Sequence, residues 1–116
     1  MADRDLTKVV AANDYAGTGR TVSAQSIATV QGVASYATGG FTVEWTDIGL
    51  TAAKVQDVTV IALGTDATDP VAVDRYALYQ GSTDKILVGV ASTGAELSAA
   101  TDDSANYYKL IVAATE

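Results

Sequence analysis

The chain has 116 residues, no histidine, no cysteine and a formal net charge of −7 at pH 7. Histidine titrates closest to neutral pH and cysteine is the strongest side-chain nucleophile, so their absence argues against an enzyme and against a soft-metal site. The excess of carboxylates argues against nucleic acid and anionic membranes as partners, because both attract a cationic face. We therefore expect a non-enzymatic protein without cofactor or metal.

The composition predicts one globular domain with a light core. Hydrophobic residues make up 48% of the chain, but there is only one Phe, one Trp and one Met. Small side chains bury less apolar area, at about 25 cal/mol per Å², so we expect stability to depend partly on oligomerisation or on docking to a larger particle. The charged first residues and the short apolar runs predict neither a signal peptide nor a membrane span.

The N-terminal third carries weak strand signals. Residues 8–12 and 21–34 alternate Val, Ala and Ile with polar residues, and glycines interrupt them between residues 17 and 19. We expect an extended N-terminal arm over residues 1–20, followed by a single β domain over residues 21–116. The run from Gly17 to Thr21 lacks the Lys-Ser/Thr ending and the following helix of a phosphate-binding loop, so it predicts a turn.

Residues 41–46 have the clearest strand pattern. Phe41, Val43 and Trp45 alternate with polar residues, which is the period of a half-buried strand. Gly39 and Gly40 precede this run, and a glycine-containing turn follows it. The pattern therefore predicts a strand with one apolar face.

The second half predicts further strands. Residues 55–63 are β-branched, as in a core strand of a sandwich. Residues 71–80 and 85–91 flank a four-residue polar connection and predict a β-hairpin. Residues 107–114 predict a last buried strand, and helices of about one turn are possible at residues 50–55, with Thr51 as N-cap, or at 95–100. We expect an all-β fold, a small antiparallel β-sandwich or barrel.

Several carboxylates are candidates for chemistry. Asp66, Asp69 and Asp74, with Asp84 across the predicted hairpin, offer the oxygen ligands that Ca²⁺ prefers. Their spacing matches no calcium loop, and Asp is common in polar loops because it forms Asx-turns. Turn formation is the favoured interpretation here.

The same interpretation applies to Asp102 and Asp103, which lie beside Ser104. Glu44 and Asp47 would be an acid–base pair for glycoside cleavage, but a strand points them to opposite faces. Without histidine, a Ser-His-Asp arrangement does not exist.

The tyrosines are better candidates for contacts. Tyr76 and Tyr79 point to opposite faces of one predicted strand, and Tyr107 and Tyr108 divide in the same way. One member of each pair should reach a surface, where Tyr offers a large contact area at low entropic cost. The alternative is that the inward ring packs in the core while the outward ring covers the sheet.

Residues 39–51, GGFTVEWTDIGLT, resemble small structural proteins of tailed bacteriophages. In those proteins a Gly-aromatic-Thr-Val strand runs into an Asp-(Leu/Ile)-Gly-Leu turn. A core strand, a Tyr-containing strand, a Lys-Ile/Leu strand, a segment like ASTGAELS and a final apolar strand follow in the same order. The corresponding segments here are residues 55–63, 74–80, 85–91, 91–98 and 107–114. The likeness covers about residues 39–114, and the loop at residues 65–70 departs from it.

The resemblance implies a head decoration (cement) protein, made in the host cytoplasm and located on the capsid surface of the virion. It implies the major capsid protein as partner, a homo-oligomer with a trimer favoured, and no catalytic residues. We expect the arm to make contacts, because an extended strand can pair with a neighbouring sheet edge. The candidate contact residues are Asp3, Arg4, Leu6, Lys8, Val10, Tyr76 and Tyr79.

Two alternatives stay open. One is a tail, neck or fibre-associated protein of the same virion. The other is a carbohydrate-binding module in which Tyr79 or Trp45 stacks on sugar, although Trp45 shares its face with Phe41 and Val43 and is therefore expected in the core.

Overall fold

The computed structural model of the protein describes residues 4–10 and 23–115, which form two antiparallel sheets packed around one core. This confirms the predicted small all-β fold. Within those residues, no helix is long and apolar enough to cross a membrane. The strands are β1 (Thr7–Val10), β2 (Ser23–Gln31), β3 (Val55–Gly64), β4 (Tyr76–Gln80), β5 (Lys85–Gly89) and β6 (Tyr107–Thr115).

The larger sheet has the strand order β1-β2-β6-β3, with every neighbouring pair antiparallel. Strand β6 is central and pairs with β2 and β3, so that Leu110 lies between Ala28 and Val60. Its sequence, YYKLIVAAT, is nearly all aromatic, β-branched or small, which suits a strand with neighbours on both sides. The strand predicted at residues 107–114 is confirmed.

The strand predicted at residues 55–63 is present as β3, but at an edge of the sheet. Its side chains alternate between exposed and more buried positions along much of its length, and Ile61 is 39% exposed. The β-branched composition that indicated a core strand is equally compatible with an edge, because β-propensity does not distinguish the two.

The smaller sheet is the predicted hairpin of β4 and β5. Gln80 pairs with Lys85 across the four-residue connection. Strand β4 begins at Tyr76 and not at residue 71, because the N–H of Val71 turns back to donate to the Leu63 carbonyl at 2.9 Å. On its other side β5 is joined by single bridges to Phe41 and Glu96, which widen this sheet.

The prediction of a continuous strand at residues 41–46 is wrong, because this segment does not pair along its length with a neighbouring strand. Phe41, Val43 and Trp45 are all buried, as their alternation predicted. However, Phe41 and Val43 make only isolated bridges, and a 3-10 helix covers Trp45–Ile48. Alternation reports which side chains are buried, but an extended connector buries alternate side chains just as a strand does.

The two predicted helical turns differ in outcome. Ala52–Lys54 forms a 3-10 helix after Thr51, although the Thr51 side chain makes no capping hydrogen bond. Residues 95–100 contain no helix. Glu96 pairs there with Gly89, and the N–H of Leu97 donates to the Val88 carbonyl at 3.0 Å, so pairing with β5 replaces the helix.

The core lies between the two sheets and the connecting segments. The larger sheet contributes small and aliphatic side chains with the Tyr108 ring, while residues 33–50 contribute most of the remaining aromatics. The buried hydrophobic cluster comprises Leu6, Ala28, Val30, Val33, Tyr36, Phe41, Val43, Trp45, Ile48, Leu50, Val58, Ala77, Ile86, Val88, Leu97, Tyr108, Leu110, Val112 and Ala114.

Part of the predicted N-terminal arm belongs to this framework. The N–H of Arg4 donates to the Thr42 carbonyl and the N–H of Glu44 donates to the Arg4 carbonyl, both at 2.8 Å. Leu6 is 7% exposed and lies in the core. Residues 4–10 therefore lie along the domain and do not extend from it, whereas the arm's other residues are outside the described part.

Candidate interaction surface

Two of the predicted contact residues fasten the start of the chain to the domain. The Arg4 guanidinium donates from one nitrogen, Nη2, to the carbonyls of Gln31 and Gly32, each at 3.3 Å. The N–H of Leu6 donates to Asp47 Oδ2 at 3.0 Å. Leu6 is therefore a structural residue, while Arg4 also lines a surface cavity.

The other residues of the predicted arm give less information. Lys8 and Val10 lie on β1, in register with Ala28 and Ile27 of β2. Asp3 falls outside the described residues. The contact role of these three positions stays a prediction.

Tyr76 and Tyr79 are half-buried and engaged within the chain. The Tyr76 hydroxyl donates to the Gly94 carbonyl at 2.8 Å, and the Tyr79 hydroxyl donates to Asp84 Oδ1 at 2.7 Å. Burial raises the pKa of the Tyr79 phenol, and the ring meets Trp45 edge-on with centroids 6.1 Å apart. These two side chains hold the hairpin in place.

Sequence reasoning overlooked Leu78, which is 58% exposed and lies between the two tyrosines. The period of the predicted strand was the available signal, because it places Leu78 on the face of Tyr76. Tyr107 and Tyr108 divide as predicted: Tyr108 is fully buried, and Tyr107 is half-buried and lines a cavity.

Two of the candidate calcium ligands, Asp66 and Asp74, accept hydrogen bonds from different partners. Asp66 Oδ1 accepts from the N–H groups of Thr68 and Asp69, at 2.8 and 3.2 Å, and these bonds lower the pKa of Asp66. Asp74 accepts from the hydroxyl and N–H of Ser92, which lowers its pKa in the same way. Among the described residues, no three acidic side chains are grouped so that they could hold a metal ion.

The imagined acid–base pair is not formed either. Glu44 accepts from the Thr46 hydroxyl at 2.7 Å, and Asp47 accepts from the N–H of Leu6. Each carboxylate therefore accepts a hydrogen bond from a different residue, and the two do not act as a pair.

Asp103 begins a turn, as predicted, because the N–H of Asn106 donates to its carbonyl at 3.0 Å, but its side chain is buried and only 1% exposed. Its carboxylate accepts from Arg75 Nε at 3.1 Å, from Asn106 Nδ2 at 2.7 Å and from the Tyr108 hydroxyl. Burial raises the pKa of Tyr108. Asp102 also has the predicted turn role, because it accepts from the N–H and hydroxyl of Ser104. No signal in the sequence distinguishes the two neighbours.

A second buried polar contact joins distant segments. The Tyr36 hydroxyl donates to Glu96 Oε2 at 2.7 Å and accepts from the N–H of Val88 at 3.1 Å. The N–H of Gly39 donates to the same Glu96 oxygen at 2.7 Å. These bonds lower the pKa of Glu96 and fix the segment before Phe41 to the smaller sheet.

A concave surface lies where the loop after β3 approaches the larger sheet. We call residues 64–71 the arch and the space beside it the arch groove. Two adjoining cavities of about 320 Å³ and 270 Å³ share Thr7, Thr29 and Ala67. The first is also lined by Arg4, Asp5, Gln31 and Tyr107, and the second by Leu63, Thr68 and Lys109.

Comparison with known proteins identifies no relative of this chain. No protein-family model, no curated protein and no solved structure matches it. The functional interpretation therefore depends on the pattern of the sequence and on the geometry described above.

Proposed function

We propose that this protein is a non-enzymatic structural component of a tailed-phage virion. Its role would be that of a head decoration protein, which binds the major capsid protein on the outside of the capsid as a homo-oligomer, with a trimer favoured. The observation that carries the proposal is the ordered series of motifs from residue 39 to residue 114, which begins with GGFTVEWTDIGLT. The tail, neck or fibre-associated role remains the alternative within the same virion.

The position of the first motif in the fold is compatible with this proposal. Phe41, Val43 and Trp45 lie in the core, and so do Ile48 and Leu50. The motif thus connects the two sheets and helps to determine the architecture, whereas a binding surface would vary more freely. The departure from the resemblance, at residues 65–70, falls on an exposed loop.

The edges of the larger sheet give the proposal a physical mechanism. Within residues 4–10 and 23–115, strands β1 and β3 each have a neighbour in the sheet on one side only. Edge strands offer backbone N–H and C=O groups that can pair with a neighbouring chain. A stable interface of about 1,200–2,000 Å² across a seam between capsid subunits would stabilise the assembled state by mass action.

The carbohydrate-binding alternative receives no support from the aromatic side chains proposed for it. Trp45 is 4% exposed, and its indole N–H donates to Asp84 Oδ1 at 3.0 Å. Tyr79 donates to the same oxygen. Trp45 therefore has no open face for stacking on a sugar, and the Tyr79 hydroxyl is already engaged within the chain.

Immunogold labelling of phage particles from lysates of the host tests the proposal. An antibody raised against the recombinant protein should label intact heads regularly. Gold confined to the neck, tail or fibres would replace the decoration role by the alternative. Absence of gold on all particles, with good binding of the antibody to the free protein, would contradict an exposed virion role.

The contribution of the N-terminus needs a variant that leaves the sheet intact. Deleting residues 1–13 would remove β1 and the buried Leu6, so a loss of binding would not separate contact from folding. Deleting residues 1–3 spares both. If this shorter chain binds capsids as well as the full chain, Asp3 makes no essential contact.

A further inference from the structure

We propose that the arch groove is a binding site for a short acidic segment of a partner polypeptide. The site would hold a carboxylate between Arg4 and Lys109 while a neighbouring apolar side chain enters beside Leu63. This inference is independent of the proposed virion role, because it concerns the chemistry of the bound segment and not the particle that carries it.

The arch is built as a preformed structure. Gly64 has φ of +78°, and a Cβ at this position would lie 2.6 Å from Val71 Cγ2. The N–H of Val71 closes the base of the arch by donating to the Leu63 carbonyl at 2.9 Å. At the tip, Asp66 accepts two backbone N–H groups and forms an Asx-turn. A groove held in this way loses little conformational entropy when a ligand binds.

The arch crosses the sheet far enough to bound an elongated space. The loop leaves β3, yet Ala67 lines the same cavities as Thr29 of β2 and Thr7 of β1. The lining from Lys109 on β6 to Thr7 spans two strand spacings, roughly 10 Å. Since an extended chain rises about 3.3 Å per residue, the groove has the length of about three residues.

The two cavities differ in chemical character. The first has the Arg4 guanidinium, the Gln31 amide and the Tyr107 side chain in its lining. The second is lined by Leu63, Ala67 and Lys109 together with three threonines, Thr7, Thr29 and Thr68. A free phosphate would use only the polar part, whereas a peptide carrying both a carboxylate and an apolar side chain would use both. This division favours a peptide as the occupant.

The two cations that line the groove, Arg4 and Lys109, outnumber its one acidic lining residue, Asp5, and this balance favours an acidic ligand. The chain has 14 acidic and 7 basic residues, so carboxylates are numerous enough to pair with every basic side chain. Among the residues that the structure describes, however, neither Arg4 nor Lys109 joins an ion pair, whereas Arg75 pairs with Asp103. Arg4 is held by two long bonds from Nη2, and its buried Nε has no partner in the described part of the chain. A guanidinium tied this weakly can turn to bind a carboxylate in its fork.

An NMR titration of the ¹⁵N-labelled full chain tests the site. The probe is the peptide acetyl-Ala-Val-Glu-Ala-amide, and its Gln-containing counterpart is the matched control. We expect saturable shifts at the amides of Thr7, Thr29, Ala67 and Lys109, with the Gln peptide binding at least about fivefold more weakly. A factor of about five is the upper end for one exposed ion pair, and the carboxylate would meet two cations, Arg4 and Lys109.

Two variants connect those shifts to the groove. Lys109→Gln should weaken binding of the Glu peptide about fivefold, whereas Lys54→Gln should leave it unchanged. Both variants remove one positive charge, but Lys54 lies before the opposite end of β3. Ala67→Trp should block binding while leaving the melting temperature unchanged, because Ala67 is exposed and its new ring would occupy the groove.

Three results would overturn the proposal. The first is a failure of the charge controls: equal affinity for the Glu and Gln peptides, or a loss of affinity in Lys54→Gln as large as the loss in Lys109→Gln. The second is a response to inorganic phosphate that matches the response to the Glu peptide, which would indicate a general anion site. The third is a set of groove shifts that depends on protein concentration without any peptide, which would identify a second copy of the chain as the occupant.

Discussion

Asp103 connects three parts of the chain through one buried carboxylate. Arg75 precedes β4, Asn106 precedes β6, and Tyr108 lies within β6; all three donate to it. The substitution Asp103→Asn turns one accepting oxygen into an NH₂ group that faces these donors. We expect a loss of roughly 2–4 kcal/mol in the free energy of unfolding, below the range for a fully buried pair because Arg75 is 22% exposed.

Urea denaturation with linear extrapolation measures this loss. The matched control is Asp102→Asn, because Asp102 is the exposed neighbour and its partners lie within the same turn. A much smaller effect is expected there. Equal destabilisation by the two substitutions would contradict the structural role assigned to Asp103.

Glu96 makes the stability of the protein depend on pH in the acidic range. The Tyr36 hydroxyl and the Gly39 N–H hold the pKa of Glu96 below its ordinary value of 4.5. A carboxyl group with a lowered pKa in the folded state stabilises the fold above its unfolded-state pKa, and this contribution disappears as the pH falls through the folded-state pKa. Asp66, Asp74 and Asp102 act in the same direction.

We therefore expect the urea midpoint to decline below about pH 4.5, as these carboxyl groups become protonated. The variant Glu96→Gln keeps an oxygen that can accept both hydrogen bonds but does not titrate. Its midpoint should decline less steeply between pH 4.5 and pH 3 than that of the unaltered chain. Superimposable pH profiles would show that Glu96 does not contribute to the acid sensitivity.

At the scale of elements, the β4–β5 hairpin is attached to the rest of the protein by Asp84. This residue has φ of +55°, and its Oδ1 accepts from both Trp45 Nε1 and the Tyr79 hydroxyl. Asp84→Ala removes both bonds and places a residue with a poor left-handed propensity in the turn. We expect a loss of about 2–3 kcal/mol, as two hydrogen bonds and one strained φ together imply.

A pair of further variants separates the two causes. Asp84→Asn retains an accepting oxygen and tolerates a positive φ, so it should be the mildest change. Asp84→Gly relieves the backbone but loses both bonds, so it should fall between Asn and Ala. Urea denaturation followed by Trp45 fluorescence ranks the three variants. Stability lower for Gly than for Ala would contradict the contribution of the turn conformation.

The elements that could be predicted from the sequence are those with a strong local pattern. The apolar run of β6 and the polar connection between β4 and β5 are both patterns of this kind, and both elements are present. The pairing of residues 41–46 could not be predicted, because the alternation of Phe41 and Val43 determines burial and not the choice of a neighbouring strand. The bridge of Phe41 depends on Ile86 of β5, which is 45 positions away in the sequence.

The candidate site was less accessible to sequence analysis than the fold. The loop at residues 65–70 was recognised as a departure from the resemblance, but its position over the sheet follows from Gly64 and from the Val71–Leu63 hydrogen bond. Arg4 and Lys109 are 105 positions apart, so only the antiparallel sheet order brings them to one groove. No local spacing rule detects a site of this type.

At the scale of the whole molecule, the net charge of −7 should act against folding through repulsion between carboxylates. Added salt shortens the screening length from about 30 Å at 0.01 M to about 10 Å at 0.1 M, so it reduces this repulsion. The attraction between Arg75 and Asp103 is screened less, because Asp103 is 1% exposed. We therefore expect the melting temperature to rise by a few degrees over this range of sodium chloride.

Binding in the arch groove should respond to salt in the opposite direction. Screening weakens the attraction of Arg4 and Lys109 for the carboxylate of the Glu peptide, so the dissociation constant should increase over the same range of salt in which the melting temperature rises. Potassium chloride should reproduce both effects, since neither depends on a specific cation. Asp69→Asn lowers the net negative charge by one and should therefore reduce the salt dependence of melting. A melting temperature that falls with salt would instead show that attractive ion pairs outweigh the repulsion. Peptide binding that strengthens with salt would show that the groove recognises its ligand through apolar contacts.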